Sequence, residues 1–427
     1  MIIKNARMMD PVTGLDERGA LLLTDGRIQR ILKADEEQEI EELCKTNEVI
    51  DARGAVTAPG LWDVHVHFRD PGFTYKEDIF TGAGVAAAGG FTTVVMMANT
   101  KPAIDSVETL DEVLRRAGKT RIHVLSCGTI SKGLKGEELT DMPLLKEHGA
   151  VGFTDDGIPL KDAEFVKQAM EMAVAVGLPL SFHEEDPAYI SQSGINHGAA
   201  SRYYGIEGAD RQAEISMIER DIALAKKTGA VIDVQHISSA EGVELIRQAR
   251  QDGFLNIHAE ATPHHFSLTE EAAIEKGTLA KMNPPLRTEA DRQAIIRGLK
   301  DKTIEIIATD HAPHAPEEKA KELLAAPSGI LGLETALPLA IRSLVEPGYM
   351  TLLEVLDRMI VGPQVLYGFK PHGITEGAPA DLVIFDPKET FVYGKSLSKS
   401  QNSPFLKETL PGKIIATLVG GKVVYHG

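Results

Sequence analysis

The sequence predicts an α/β fold, a (β/α)8 barrel with a small β-sandwich domain assembled from both chain ends. Three observations predict it. Eight apolar, β-type runs follow one another through the middle of the chain, separated by helical stretches. Each run closes on polar residues. The first 57 residues and the last stretch are rich in short β segments joined by tight turns. The chain divides accordingly into 1–57, the first part of the sandwich; 58–372, the barrel; and 373–427, the second part.

Met1-Ile2-Ile3 opens the first strand. In ALLLTDGRIQRILK, Asp25-Gly26 lies between two apolar runs and predicts a hairpin. Asn47 to Asp51 adds a short strand. The barrel runs are Leu61–Phe68, Thr92–Asn99, Ile122–Thr129, Ala150–Asp156, Leu178–Glu185, Val231–Ser238, Asn256–His265 and Ile304–His311. Between them, KDAEFVKQAMEMAVAV and QAEISMIERDIALAKKT carry apolar residues three and four apart, the helical spacing. An open doubly wound sheet is the competing architecture. It is weakened because no G-x-G-x-x-G or P-loop follows any run. The stretch 312–329 (APHAPEEKAKELLAAPSG) reads equally well as a lid over the barrel mouth and as a solvated loop with a helical turn. The chain then gives DLVIFDP, ETFVYG and KIIATLVGGKVVYHG, the last turning at Gly420-Gly421.

Composition narrows the function. Of 427 residues, 43% are hydrophobic and 25% charged, which excludes a disordered or fibrous chain. Lys+Arg is 45 and Asp+Glu 62, a net charge of −17 with no concentrated basic run, so nucleic acid is not an expected partner. A small anionic substrate gains no long-range attraction from such a chain and needs a locally positive site. No apolar stretch approaches a membrane span, no signal core opens the chain, and two cysteines make no disulfide framework. The expectation is a cytoplasmic protein without a membrane partner.

The chemistry gathers at the run ends. His65-Val66-His67 closes the first run, and strand alternation puts both imidazoles on one side. Asp156 closes the fourth run, His183 the fifth, His236 the sixth and Asp310 the eighth. In a barrel these ends share one mouth. Four histidines and two carboxylates are costly to assemble there without a cation. Imidazole with carboxylate suits zinc, with manganese or cobalt as substitutes. Arg69, two positions after His67, lies on the same side and can offer a bidentate fork to a carboxylate. Its competing role is a surface pair with Asp70 or Glu77. Asn99 ends the second run and can add a hydrogen bond to the same anion.

With these residues in view, the chain resembles the amidohydrolase superfamily of metal-dependent hydrolase barrels, within it the cyclic amidases, and among them the class I dihydroorotase family. The resemblance spans nearly the whole chain. It rests on PGLWDVHVHFRDPG (59–72), GGFTTVVMMANTKP (89–102), FTDDG (153–157), ATPHH (261–265), KMNPPLR (281–287), IATDHAPH (307–314) and ITEGAPADLVIFD (374–386). The HxH and DHAPH elements are shared with allantoinases and hydantoinases, whereas FRDPG, Asn99 and MNPPLR favour dihydroorotases.

The resemblance implies that His65, His67 and Asp310 hold one zinc and that His183 and His236 hold a second. Relatives often bridge the two with a carboxylated lysine. Here the fourth run offers none, so Asp156 bridges, and two ions are favoured over one. A single ion on His65, His67, Asp156 and Asp310 is also chemically sound. The implied activity is reversible interconversion of N-carbamoyl-L-aspartate and dihydroorotate in pyrimidine biosynthesis. Zinc lowers the pKa of bound water to ~7 and supplies hydroxide. Asp310 takes the proton of that water and later delivers it to the leaving ring nitrogen, one carboxylate alternating as base and acid; its deprotonated form favours ring opening and its protonated form closure. The substrate set is His67, Arg69 and Asn99, with His314 as a third carboxylate contact. Asn283 and the backbone of Ser328 and Gly329 read the amide edge of the ring. Relatives often carry an aromatic where Ser328 stands. The family also suggests a homodimer and an association with aspartate transcarbamoylase. The alternatives are an allantoinase or hydantoinase activity and a non-catalytic scaffold for that transcarbamoylase; a scaffold is expected to lose metal ligands, and none is lost here.

Other candidates are set aside. His264, His265 and His311 are expected to brace or to fill the core, and His258 to lie in the core. His123, His148, His197, His372 and His426 have no run-end partners. Asp155 is expected to brace its turn, Lys101 to be a surface charge and Cys127 to be a buried, inert thiol.

Overall fold

The structure is a computed structural model and describes residues 1–427. The chain begins with β1 (Ile2–Asp10), β2 (Leu15–Thr24) and β3 (Arg27–Lys33), followed by β4 (Val49–Asp51) and β5 (Val56–Pro59). Asp25 (φ +51°) and Gly26 (φ +76°) take the left-handed conformations that a two-residue hairpin turn needs, and β2 pairs antiparallel with β3 across them. The segment before β4 departs from the β-rich expectation, because Glu37–Thr46 is a helix. Its Ile40, Leu43 and Cys44, three and one apart on one face, pack on Ile2, Ala20, Leu22 and Leu32 of the sheet.

Eight strands then form the barrel: β6 (Leu61–Val66), β7 (Phe91–Met96), β8 (His123–Ser126), β9 (Phe153–Thr154), β10 (Leu180–Phe182), β11 (Ile232–Val234), β12 (Ile257–Ala261) and β13 (Ile306–Ile307). Each expected run contains one of them. β6 to β8 pair in parallel, as do β9 to β13. Parallel bridges Gly128↔Phe153 and Val66↔His311 join the two sets into a closed ring, so the open doubly wound alternative is excluded. The seventh run is shorter than expected. β12 stops at Ala261, and Thr262 caps a short helix, Pro263–Ser267, with Pro263 in its first turn.

The surrounding helices follow from their spacing. In Ala163–Val176, Phe165, Val166, Ala169, Met170, Ala173 and Val176 form the buried stripe. The Asp162 side chain caps the N-terminus by accepting from the Glu164 and Phe165 N–H groups.

The chain ends with β14 (Leu382–Val392), β15 (Thr409–Val419) and β16 (Lys422–His426). DLVIFDP and ETFVYG are thus largely one strand, with an irregularity between Asp386 and Thr390, rather than two. β14 pairs antiparallel with β5, and β5 parallel with β1, so both chain ends build one continuous sheet. The sheet curls upon itself. Ile3, Met8, Leu21, Leu23 and Ile28 meet Leu382, Ile384, Ala416 and Leu418 in one apolar cluster. The Ala380 N–H donates to Gly26 O across the seam (2.9 Å). The sandwich is therefore a single rolled sheet. Between β14 and β15, residues 393–408 leave the sheet and run across the barrel, where Ser398 bonds Glu77, and Ser400 Oγ donates to Lys76 O at 2.8 Å.

Candidate active site

The two histidines after Asp63 are set by strand alternation, and both rings turn to the same interior point. His67 Nε2 lies 3.4 Å from Asp156 Oδ2 and 2.9 Å from Asp310 Oδ1. His65 Nε2 lies 3.4 Å from Asp156 Oδ1 and 3.6 Å from Asp310 Oδ1. Across the mouth, His183 Nδ1 and His236 Nε2 are 2.9 Å apart and 3.6 and 3.7 Å from Asp156 Oδ1. Two compact donor triads result, His65/His67/Asp156 and Asp156/His183/His236, and Asp156 belongs to both. All six residues are buried. His236 (φ +36°) and Asp310 (φ +45°) stand in left-handed backbone conformations, which are costly for residues with side chains and persist where surrounding contacts enforce them.

Carboxylates and amides orient the rings from behind. Glu260 Oε2 accepts from His65 Nδ1–H at 2.9 Å, Glu185 Oε2 from His183 Nε2–H at 2.9 Å, and Asn99 Oδ1 from His67 Nδ1–H at 2.9 Å. Each leaves the opposite ring nitrogen facing the centre, the arrangement in which imidazole ligates a cation. His65 Nε2 and Asp156 Oδ1 are buried with no hydrogen-bond partner. Burial alone would raise the Asp156 carboxyl, but His65, His183 and His236 hold it well below the usual range. Burial would likewise lower His183, but Asp156 and Glu185 push it up to about 10. The carboxylates thus demand positive charge at the centre. Orphaned inward donors, a shared carboxylate and this charge demand fit one or two divalent cations.

Above the triads lies a cavity of about 200 Å³ lined by His67, Arg69, Asn99, Asp156, Gly157, His183, His236, Asn283, Asp310, Ala312, His314, Ser328 and Gly329. The structure therefore brings every residue singled out in the sequence to one place, with His65 buried beneath. Arg69 pairs with neither acid weighed for it. Asp70 takes Arg116 (2.6 Å), and Glu77 accepts from Thr81 and Ser398. The Arg69 Nε–H donates only to Pro313 O (3.3 Å), and the guanidinium forms no ion pair. His314 is neutral: burial, then the Arg69 cation, push it down to about 2; neither ring nitrogen has a hydrogen-bond partner, and Nδ1 lies 3.7 Å from Glu318 Oε2. Asn99 is more committed than expected, since its Nδ2 also donates to Asp156 O (3.1 Å) and Oδ2 (3.2 Å). Asn283 Oδ1 accepts from Ser193 Oγ (2.9 Å). Gly329 has φ +127°, and a Cβ there would lie 2.8 Å from Ala312 Cβ and 3.0 Å from His314 Nε2, so only glycine leaves the cavity open.

The 312–329 stretch is packed, with Lys319 and Ala326 buried. Lys319 Nζ donates to Pro327 O (2.9 Å) and Gly329 O (3.2 Å), and Lys281 Nζ to Leu323 O and Ala326 O (both 2.8 Å). Burial, reinforced by Lys281, pushes Lys319 down to about 7. Neither lysine was singled out in the sequence, nor were Glu185 and Glu260. An acid inside an apolar run, as in IHAEA, is the signal that could have found Glu260.

The remaining residues have other partners. His265 Nε2–H donates to Pro284 O (3.0 Å), next to Asn283, and Nδ1 accepts from Thr262 Oγ1 (2.7 Å). His264 and His311 are buried. His258 is not a core residue: it is half-buried and pairs with Glu305 at 2.7 Å. Asp155 accepts from the Ile130 and Ser131 N–H groups (2.8 and 3.1 Å) and braces its turn. Cys127 is fully buried, and burial pushes its thiol up to about 12.

Comparison with known proteins agrees with this geometry. A profile of the family described as Dihydro-orotase-like matches residues 54–242. The chain is 49% identical over 426 residues to a protein of Clostridioides difficile named dihydroorotase, covering all of both chains. It is 48% identical over 428 residues to one of the same name from Streptococcus pneumoniae, again covering all of both. Among solved structures it is similar to an L-hydantoinase from Arthrobacter aurescens, with a TM-score of 0.87, 24% identity and coverage of 100% of this chain and 96% of that one. That last likeness shows a shared fold. No helix is long and apolar enough to cross a membrane.

Proposed function

The chain belongs to the dihydroorotase family, hydrolases of cyclic amide bonds, and from that premise we propose which of its residues carry the reaction and how. The observation that carries the proposal is the unpaired Arg69 guanidinium lining the same cavity as the two donor triads. An acidic protein has placed one bare cation where a ring carboxylate can meet it. This suits dihydroorotate and N-carbamoyl-L-aspartate, both of which bear that group.

Arg69 forks the substrate carboxylate, and the neutral His314 donates one N–H to it. Asn99 completes the carboxylate site while holding His67 and Asp156. Asn283 and the backbone of Ser328 and Gly329 meet the amide edge, and His67 closes the wall beside Asp310. In ring opening, Asp310 accepts a proton from the attacking water as its oxygen bonds to the amide carbon. It then delivers that proton to the ring nitrogen as the C–N bond breaks. Closure runs the same path backwards: Asp310 takes the proton of the attacking nitrogen as the C–N bond forms and returns it to the oxygen that leaves the carbon as water. His65, His67 and Asp310 would hold one zinc, and His183 and His236 a second, with Asp156 shared. Bound there, zinc supplies water activation near neutral pH and polarises the carbonyl.

The setting is proposed with the residues: a step of pyrimidine biosynthesis, in the cytoplasm, by a homodimer able to associate with aspartate transcarbamoylase. Free Cys44 and Cys127 suit a reducing compartment, and the family resemblance supports the rest. The division into 1–57, 58–372 and 373–427 is likewise proposed. The pairing of β5 with β1 and β14 supports one terminal unit with a barrel set into it.

The test is ring opening of L-dihydroorotate, followed by ultraviolet absorbance on metal-quantified protein before and after chelation and zinc return. Activity that falls and recovers supports the assignment, and the metal-to-chain ratio decides one ion against two. Bound metal with turnover of hydantoins or allantoin alone would overturn the substrate.

A further inference from the structure

Asn402 lies in the 393–408 segment between β14 and β15, outside every motif singled out in the sequence, and is 2% exposed. Its Nδ2 donates to Ala312 O (2.9 Å) and to Gly329 O (3.0 Å), and its Oδ1 accepts from the His314 N–H (3.0 Å). One amide thus bonds both ends of the 312–329 stretch, through three residues that all line the cavity. Its own backbone carbonyl accepts from the Leu331 N–H (2.9 Å), just past the stretch. The segment is anchored on the barrel side as well. Ser398 bonds Glu77, Lys399 Nζ donates to Thr74 O (2.7 Å) and Ser400 Oγ to Lys76 O.

The chemistry of the residue matters. An amide offers donors and an acceptor together, and here it must satisfy two carbonyls and one N–H. Aspartate keeps the acceptor but loses both donors. An apolar residue loses all three bonds and leaves buried backbone groups unpaired. The Gly329 carbonyl is also held by Lys319, but Lys319 belongs to the stretch itself and cannot tie it to the rest of the molecule.

We propose that Asn402 is a positioning residue for substrate recognition: it fixes the spacing between His314 and Gly329, so that a segment of the terminal sheet sets the width of the substrate cavity. The proposal rests on the reading of His314 and Gly329 as substrate contacts. It explains why 393–408 leaves its sheet to cross the barrel, which the stability of the sheet alone does not require.

The test uses the metal-loaded full chain with dihydroorotate as substrate and compares Asn402→Ala, Asn402→Asp and His314→Ala. Steady-state kinetics are paired with metal content and amide hydrogen exchange. In Asn402→Ala, KM is expected to rise about tenfold, in keeping with the loss of buried hydrogen bonds. Little change is expected in kcat or metal content, and exchange should rise at 312–316 and 329–331 but not in the barrel strands. Asn402→Asp, nearly isosteric, should shift KM in the same direction and carries the test if the alanine variant fails to fold. Unchanged KM in a folded Asn402 variant overturns the proposal, as does a fall in kcat at constant KM. His314→Ala then separates the two failures: a raised KM there leaves the cavity reading standing, whereas an unchanged KM removes both.

Discussion

Asp310 Oδ1 rests 2.9 Å from Nε2 of His67, so the carboxylate is shared between a donor triad and the open cavity. Burial would raise this carboxyl, but His67, His65 and His236 hold it below the usual range. It is therefore charged and ready to accept a proton while still touching a ring that faces the centre.

Asp310→Asn keeps the shape and removes the base. Substrate binding should persist, while turnover drops by roughly 10²-fold to 10⁴-fold, the usual worth of a positioned proton carrier. Single-turnover kinetics beside equilibrium binding would check it. Near-normal turnover would remove Asp310 from proton transfer.

Arg69→Lys retains the charge but loses the planar fork. KM for dihydroorotate should rise about 10- to 100-fold, the worth of hydrogen bonds to a charged group. Unchanged affinity would mean that the guanidinium meets something other than substrate.

Glu260→Gln tests the bracing of the proposed metal ligands. Glu260 is buried and accepts from His65 Nδ1–H, so its amide counterpart can present the wrong group to the ring. Partners of this kind are typically worth 10- to 100-fold in metal affinity, and chelator competition should show a loss of that order. Retention equal to the parent would show that His65 is held by packing alone.

Lys319 predicts a pH effect on stability. Its folded pKa is depressed to about 7 from an ordinary 10.5, so between those values the unfolded chain binds more protons. Its contribution is then present above about pH 10.5 and is lost as pH falls towards 7. Relative to Lys319→Met, the parent should gain stability as pH rises from 7 to 10. Urea midpoints across that window measure it, and a constant difference between the two proteins would contradict the shift.

The fold was legible wherever the pattern was local. Eight runs, the Asp25-Gly26 turn and the Gly420-Gly421 turn are written in neighbouring residues, and strand alternation alone puts His65 and His67 side by side. The seventh run is shorter than its apolar pattern suggests, and Thr262-Pro263 carries the reason in the sequence: a capping side chain followed by proline starts a helix rather than continuing a strand. The helix at Glu37–Thr46 is faint in the sequence because its apolar face is only Ile40, Leu43 and Cys44. At the site, residues closing a run stood out by position. Lys281, Lys319 and Asn402 did not, because each is held by backbone carbonyls, which carry no residue identity in a sequence.

The rolled sheet has a consequence for how the molecule is made. Ala58 in β5 finds its antiparallel partner in Val383, after the entire barrel has been synthesised. Until then the strands made first keep an open edge beside β5, the kind of edge that recruits other chains. Closing the β5 edge thus waits on the last part of the chain, and long-range pairing of this sort is slow. Chains released before β14 would expose their unpaired edge, and they are the species that chaperones would meet.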